Sequence, residues 1–378
     1  MAAAASVVVA VGTVSGLLAA TGGDRDDSAR PRPEVSASAL PVPLPARPSP
    51  TAASPSPSPT PSRTPAKPSA APRPKPSVTK KRAPRAPAPR TVSAALYRHP
   101  ESQVLDWVRA NPGDPRRPVI ESRIADQPAA VWFAEYDPGA ITGRVRAVTS
   151  GAAAAGRVPV LVPYAIPDRD CGGASQGGAP DLDAYDGWIR NFADGLGSGP
   201  VIVVLEPDSI ALADCLSDGQ RAARYASLAR AGKALRAANP QAKVYFDAGH
   251  SGWHSAAKMA GALREAGAAT SSDGIFTNVS NFHGTADEAA YARRVLTALG
   301  GPSHLGAVID TSRNGNGAPA PGEWCDPAGR ALGRTPTTRT GEARIDAYLW
   351  IKLPGESDGC SGAAGEFSAD YAYDLATG

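Results

Sequence analysis

The stretch VIVVLEPDSI, Val201 to Ile210, runs five consecutive apolar residues straight into Glu206, Pro207 and Asp208. An apolar run without alternation suits a strand buried on both faces, as in parallel sheets covered by helices. Ending such a strand in two carboxylates is either an ordinary exit into a turn or the delivery of an acid to the rim of a rigid scaffold. The pattern recurs along the chain. AAVWFA (129–134), VPVLVPY (158–164), KVYF (243–246), GIFT (274–277), GAVI (306–309) and DAYLWIKL (346–353) give, with VIVVL, seven such runs. Helical periods lie between most of them. SDGQRAARYASLARAGKALRAA opens with Ser217 and Gln220 in capping-box spacing. TADEAAYARRVLTALG is read with Thr285 as its N-cap and Gly300 at its end. The alternation predicts a parallel α/β domain, closed or nearly closed into a barrel. An open doubly wound sheet is the alternative, although no Gly-rich phosphate loop follows any strand.

Polar residues follow almost every run. Asp168 and Asp170 come after the second, Glu206 and Asp208 after the third, and Asp247 and His250 after the fourth. Asn278 and Asn281 follow the fifth, Asp310 and Arg313 the sixth, and Glu356 and Asp358 the last. In a parallel barrel these positions share the rim where active sites are built. The five histidines are scattered, and His250 and His254 lack the glutamate of a zinc-protease helix. No calcium-loop spacing is present, and neither a metal nor a cofactor is expected. Carboxylates facing one another across a cleft suit glycoside hydrolysis, in which one stays protonated for the leaving oxygen and another polarises water. Crowding the acids raises the pKa of at least one of them.

The six tryptophans divide in two. Trp107, Trp188 and Trp350 have core positions, whereas Trp132, Trp253 and Trp324 lie near the rim, where aromatic faces suit pyranose rings. The stretch 312–342 is a connection of about 30 residues without an evident element, which marks a functional loop.

Composition separates this domain from what precedes it. Residues 28–90 hold 19 of the 38 prolines and have neither helical nor strand period. They are expected to form a disordered, extended tether. Residues 1–91 carry 13 of the 39 Lys/Arg and 4 of the 36 Asp/Glu, which leaves a mildly acidic folded part with no nucleic-acid footprint. The start, MAAAASVVVAVGTVSGLLAATGGDRDD, has a signal-like apolar run without the usual basic opening. It is expected either to be removed on export or to stay as a membrane or wall anchor. The resulting division is 1–25 signal or anchor, 26–91 linker and 92–378 catalytic domain. Cys171, Cys215, Cys325 and Cys360 all lie in that domain without metal spacing, and in an exported chain they favour two disulfides. Three pairings are possible, of which Cys171–Cys215 with Cys325–Cys360 is the simplest.

Taken together, VIVVLEPDSI, VPYAIPDRDC, YFDAGHSGWH, TNVSNF, DTSRNGNG, EWCDPAGR and WIKLPGESDGC resemble glycoside hydrolase family 6, the inverting cellulases, over about residues 92–378. The resemblance implies a distorted seven-stranded β/α barrel and agrees with the simplest cysteine pairing. It implies that Asp208 is the general acid, and that Asp170, with the Ser175 loop, raises its pKa and helps to activate water. Asp247 and Asp358 match further acids of the site, the latter a candidate base. Tyr164 matches the aromatic beside the strained sugar. Trp132, Trp253, Trp324, His250, Lys352 and Glu356 match glucan-contacting positions, with Asn278 and Arg330 as weaker matches. Ala174 and Phe282 depart from the common pattern at the loop over the cleft. The compact segment between Asp310 and Cys360 favours a monomeric endoglucanase acting on β-1,4-glucan over a cellobiohydrolase or a non-catalytic glucan-binding protein.

Overall fold

The computed structural model describes residues 95–378. The apolar segment 1–25 and the whole linker 26–91 lie outside the described residues. Seven strands form one parallel sheet in chain order: β1 (Val131–Phe133), β2 (Val160–Pro163), β3 (Val201–Leu205), β4 (Ala242–Asp247), β5 (Gly274–Thr277), β6 (Gly306–Asp310) and β7 (Ile345–Leu349). The sheet curls until its edges meet. Ala130 N donates to Trp350 O at 2.9 Å and the Trp132 indole donates to Ile351 O at 2.7 Å. Among the described residues no ladder joins β1 to β7, so the expected barrel is present but open along this seam.

The helices are α1 (Gln103–Ala110), α2 (Arg117–Ile120), α3 (Ile141–Ala154), α4 (Leu182–Asp194), α5 (Asp218–Ala238), α6 (Ala256–Glu265), α7 (Ala268–Ser271), α8 (Thr285–Leu299) and α9 (Ala369–Thr377). The predicted capping box opens α5, with Ser217 and Gln220 each bonding the other's backbone. Thr285 is not the cap of α8. Gly284 takes that place, and the Thr285 hydroxyl instead accepts from Asn314 Nδ2 at 3.1 Å, which ties α8 to the loop after β6.

Strand pleating sorts the apolar residues into two layers. Val160, Val162, Ile202, Val204, Tyr245, Phe276, Val308, Ala347 and Leu349 point inward and contact one another as the barrel interior. Their strand neighbours Leu161, Val203, Val244, Phe246, Ile275, Ala307 and Ile309 point outward, against Trp188, Phe192, Leu228 and Val295 of the helices. Burial on both faces explains why β2 and β3 are written as unbroken apolar runs, while β4 and β7 admit a polar residue, Lys243 and Asp346, near their starts. A third cluster, around Trp350, packs α1, α2 and α9 together.

At the opposite end from the acids, β5 and β6 approach too closely for a side chain. Gly274 has φ 156°, and a methyl group there would lie 1.9 Å from Gly306 O. Gly274→Ala is expected to cost at least about 3 kcal/mol, the upper end of ordinary overpacking, in urea unfolding. A loss below about 1 kcal/mol would show that the β5–β6 spacing is not enforced here.

Candidate active site

Backbone contortion concentrates at one rim. Nine described non-glycine residues have positive φ, and eight of them (Asp168, Asp170, Cys171, Glu206, Asp208, Asn278, Ser280 and Asp326) lie in loops that leave the C-terminal ends of strands. Such conformations cost energy and persist where surrounding contacts enforce them. The contacts here are buried carboxylates. Glu206, fully buried, accepts from Ala165 N at 3.0 and 2.9 Å and from Ile166 N at 3.0 Å, so β3 grips the loop that leaves β2. Asp247 accepts from Ile210 N at 3.1 Å, Ala211 N at 2.7 Å and Gly249 N at 2.9 Å, so β4 grips the loop that leaves β3. Asp310 accepts from Ser312 N at 2.9 Å, Lys352 N at 2.9 Å and, at 3.3 Å, from Ile351 N and Ser280 N.

Asp208 differs from these three. It is half-buried, and among the described residues its carboxyl has no hydrogen-bond partner. Burial raises its pKa well above the carboxylate range, and the charges of Asp247 and Asp170 raise it further. Asp208 and Asp247 titrate together, and Asp247 is itself raised by burial against its backbone hydrogen bonds. Three N–H donors favour the anion on Asp247, and none does so on Asp208, so their shared proton resides on Asp208.

Asp170 lies in the neighbouring loop, where its Oδ2 accepts from Ser175 N at 2.7 Å and Ser175 Oγ at 2.9 Å. The Ser175 hydroxyl also meets the Tyr164 hydroxyl at 3.1 Å. Burial, followed by the charge of Asp208, raises the Tyr164 hydroxyl above its ordinary value. A Cys171–Cys215 disulfide joins the loop of Asp170 to the loop of Asp208.

Across the rim, Asp358 is gripped by two cations. Arg313, fully buried, makes a two-pronged pair to it at 2.8 and 2.9 Å, and Lys352 Nζ stands 3.4 Å from Oδ1. Asp326 N also donates to Asp358 Oδ2 at 3.2 Å. Both oxygens of Asp358 are therefore engaged. Burial pushes Glu356 up to about 7, against Lys352 and against Gln103, whose amide donates to it at 3.0 Å. The Cys325–Cys360 disulfide closes this side. Both cysteine pairs are the simplest pairing read from the sequence. The two sides touch: a methyl group on Gly359, φ 117°, would lie 2.7 Å from the methyl of Ala174.

The aromatic residues divide as their positions predict. Trp188 and Trp350 are buried, and Trp107 packs beneath Phe367. Trp132 stands edge-on to Tyr164 at 5.3 Å, Trp253 lies beside His250 at 5.3 Å, and Trp324 is 58% exposed. Burial lowers His250 to about 3, helped by the adjacent His283, whose ring stacks on it at 4.2 Å. Two expected contacts are not brought to the site. Asn278 is fully buried, with its amide spent on Asp310 O at 2.9 Å, His283 O at 3.2 Å and His283 N at 3.0 Å. It locks the turn after β5 rather than facing a groove. Arg330 braces its own loop through Gly317 O at 2.7 Å and Ala328 O at 3.2 Å. The sequence reading gave no site role to Glu206, Asp310, Arg313 or Asp326. The first three stand directly after strands and were visible as rim residues, while Asp326 was marked only by its neighbour Cys325.

The family model for Glycosyl hydrolases family 6 matches residues 91–377. The chain belongs to this family. It is 57% identical over 287 residues to Endoglucanase 1 of Streptomyces sp. (strain KSM-9), covering 76% of this chain and 79% of that protein. It is 53% identical over 282 residues to Endoglucanase A of Thermobispora bispora, covering 74% of this chain and 61% of the relative. The endoglucanase Cel6 from Mycobacterium tuberculosis, solved with methyl-cellobiosyl-4-deoxy-4-thio-β-D-cellobioside, superposes with a TM-score of 0.70 at 42% identity, covering 76% of this chain and 98% of that one.

The Asp358–Arg313 pair in this family 6 domain offers a direct stability test. Asp358→Ala leaves the Arg313 charge buried and uncompensated, and is expected to cost roughly 3–5 kcal/mol in urea unfolding. A loss under about 1 kcal/mol would mean that solvent or Tyr371 already satisfies the guanidinium.

Proposed function

We propose that this chain is an exported endo-β-1,4-glucanase that cleaves internal bonds of β-1,4-glucan with inversion at the anomeric carbon. The feature that carries the reading is Asp208, a carboxyl whose pKa is raised by burial and by the charges of Asp247 and Asp170, and which has no hydrogen-bond partner among the described residues. Asp208 donates that proton to the glycosidic oxygen as the bond to the anomeric carbon breaks. Water attacks the opposite face of the ring, and its proton leaves along Asp170 and the Ser175–Tyr164 hydroxyls. Asp247 holds the Asp208 turn, and Asp358 stays a fixed anion rather than the base. We assign glucan contact to Trp132, Tyr164, Ser175, His250, Trp253, Trp324, Lys352 and Glu356. The domain boundary near residue 92 belongs to the same proposal. So does export, which the two disulfides support.

A cellobiohydrolase is the second reading, because the loops after β2 and β7 touch at Ala174 and Gly359. Rapid viscosity loss of carboxymethylcellulose with little cellobiose is the endo outcome, and the reverse balance decides for exo action.

Asp208→Asn is expected to lower kcat on cellohexaose by about 10²–10⁴-fold, the usual contribution of a general acid, while the protein stays folded. Retained turnover would remove Asp208 from the mechanism. The acid acts while protonated, so activity is present below its raised pKa and is lost as pH rises through it. Asp247→Asn removes a neighbouring anion and is expected to move this alkaline limb to lower pH. A limb that stays in place would detach Asp247 from the titration.

A further inference from the structure

Besides the Arg313–Asp358 pair, two neighbouring links join the loop between β6 and β7 to the turn after β7. One is the Cys325–Cys360 disulfide. The other is Asp326, next to Cys325. Its Oδ1 accepts from Asp358 N at 2.6 Å. Its Oδ2 accepts from Ser357 Oγ at 2.6 Å, Ser361 Oγ at 2.8 Å, Ser361 N at 2.9 Å and Cys360 N at 3.2 Å. The exchange is reciprocal, since Asp326 N donates to Asp358 Oδ2 at 3.2 Å. Five donors from four of the five residues 357–361, all but Gly359, converge on one half-buried carboxylate whose own backbone has φ 45°. Gly359, the residue they flank, is the one that abuts Ala174, next to Ser175 and its bond to Asp170.

We propose that Asp326 is a positioning residue of the hydrolytic site, holding the 357–361 turn so that Asp358 and Gly359 meet the Asp170–Ser175 loop in one arrangement. The inference rests on the glucanase reading above and extends it to a residue outside the acids that touch substrate. A disulfide fixes two Cα atoms at 5.9 Å and leaves the turn beyond Cys360 free to rotate. Asp326 fixes the orientation of four of these five residues, and orientation is what a displacement reaction needs. Misplacement of about 1 Å can cost about 10²-fold in rate. Although burial opposes ionisation of Asp326, the bonds from Ser357, Ser361 and Asp358 hold it below the usual carboxylate range. The clamp therefore stays charged in acid.

Two variants of the full chain separate the links. Asp326→Asn keeps the shape and aims an amide at backbone donors. It is expected to lower kcat on a soluble aryl cello-oligosaccharide at least about tenfold with KM changed less than about threefold, because placement rather than binding is disturbed. The paired Cys325→Ser, Cys360→Ser change is expected to lower the unfolding midpoint while kcat stays within about threefold. Unchanged kcat in Asp326→Asn, or loss of kcat in the cysteine variant alone, overturns the proposal. If Asp326→Asn does not fold, Ser361→Ala, which removes one donor, must still lower kcat measurably at unchanged midpoint, and full activity there overturns it. Asp208→Asn, assayed alongside, keeps the two readings apart. Its inactivity with a fully active Asp326→Asn sinks the positioning role alone, whereas a native chain that cleaves no glucan sinks the function and this inference with it.

Discussion

A carboxylate buried at the end of one strand, accepting backbone N–H groups from the loop that leaves a neighbouring strand, is the interaction on which the site depends. Glu206 does this from β3 to β2, Asp247 from β4 to β3, and Asp310 from β6 toward β5 and β7. A hydrogen bond to a charged group contributes about 1.5–3 kcal/mol, so three or four on one carboxylate offset much of the cost of burying it. The chain needs such grips because the barrel is open at the β1–β7 seam and the loops that leave β2 and β6 are long and carry little regular structure. Left alone, the residues after each strand would relax from positive φ. With the grips, Asp208 and Asp170 are held at φ 67° and 59°.

The same brackets decide the electrostatics. Each surrounds an acid with donors that prefer the anion and work against the burial that raises Glu206, Asp247 and Asp310. Asp208, whose carboxyl has no such donor among the described residues, then faces the charges of Asp247 and Asp170 in a partly desolvated place, and its proton becomes expensive to lose. Acid strength here is assigned by hydrogen-bond supply rather than by residue type. Glu206 and Asp208 make the point within three residues: one carboxyl accepts from the backbone N–H groups of a neighbouring loop, and the other has no such donor among the described residues.

This explains what the sequence could and could not say. All seven strands were legible, because burial on both faces leaves uninterrupted apolar runs such as VIVVL and VPVLVP. The rim was legible too, since polar residues followed each run. The roles along it were not. An aspartate that clamps backbone and one that donates a proton occupy the same kind of position, and only the donors around them, supplied by loops far away in sequence, tell them apart. Asn278 was read as a sugar contact for this reason, when its left-handed φ of 69° and buried amide make it a turn lock. Thr285 failed as a cap because Asn314, 29 residues on, claimed its hydroxyl. Asp326 stayed hidden inside a long Gly/Pro loop without periodicity, where no pattern rule distinguishes one acid from another.

The division of labour along the rim follows from the seam. Asp170 and Asp208 belong to one unit, built on β2, β3 and β4 and tied by Cys171–Cys215, Glu206 and Asp247. Lys352, Glu356 and Asp358 belong to another, built on β6 and β7 and tied by Arg313, Asp310, Asp326 and Cys325–Cys360. In one direction the units are joined through β5. In the other, β1 meets β7 only at Ala130–Trp350 and at the Trp132 indole, and the loops meet at Ala174 and Gly359. Each unit is stiff, while the boundary between them is a few contacts wide. The acids Asp170 and Asp208 and their neighbours are therefore held by bonds within one unit, and Glu356 and Asp358 by bonds within the other, with the two sets facing each other where the loops meet.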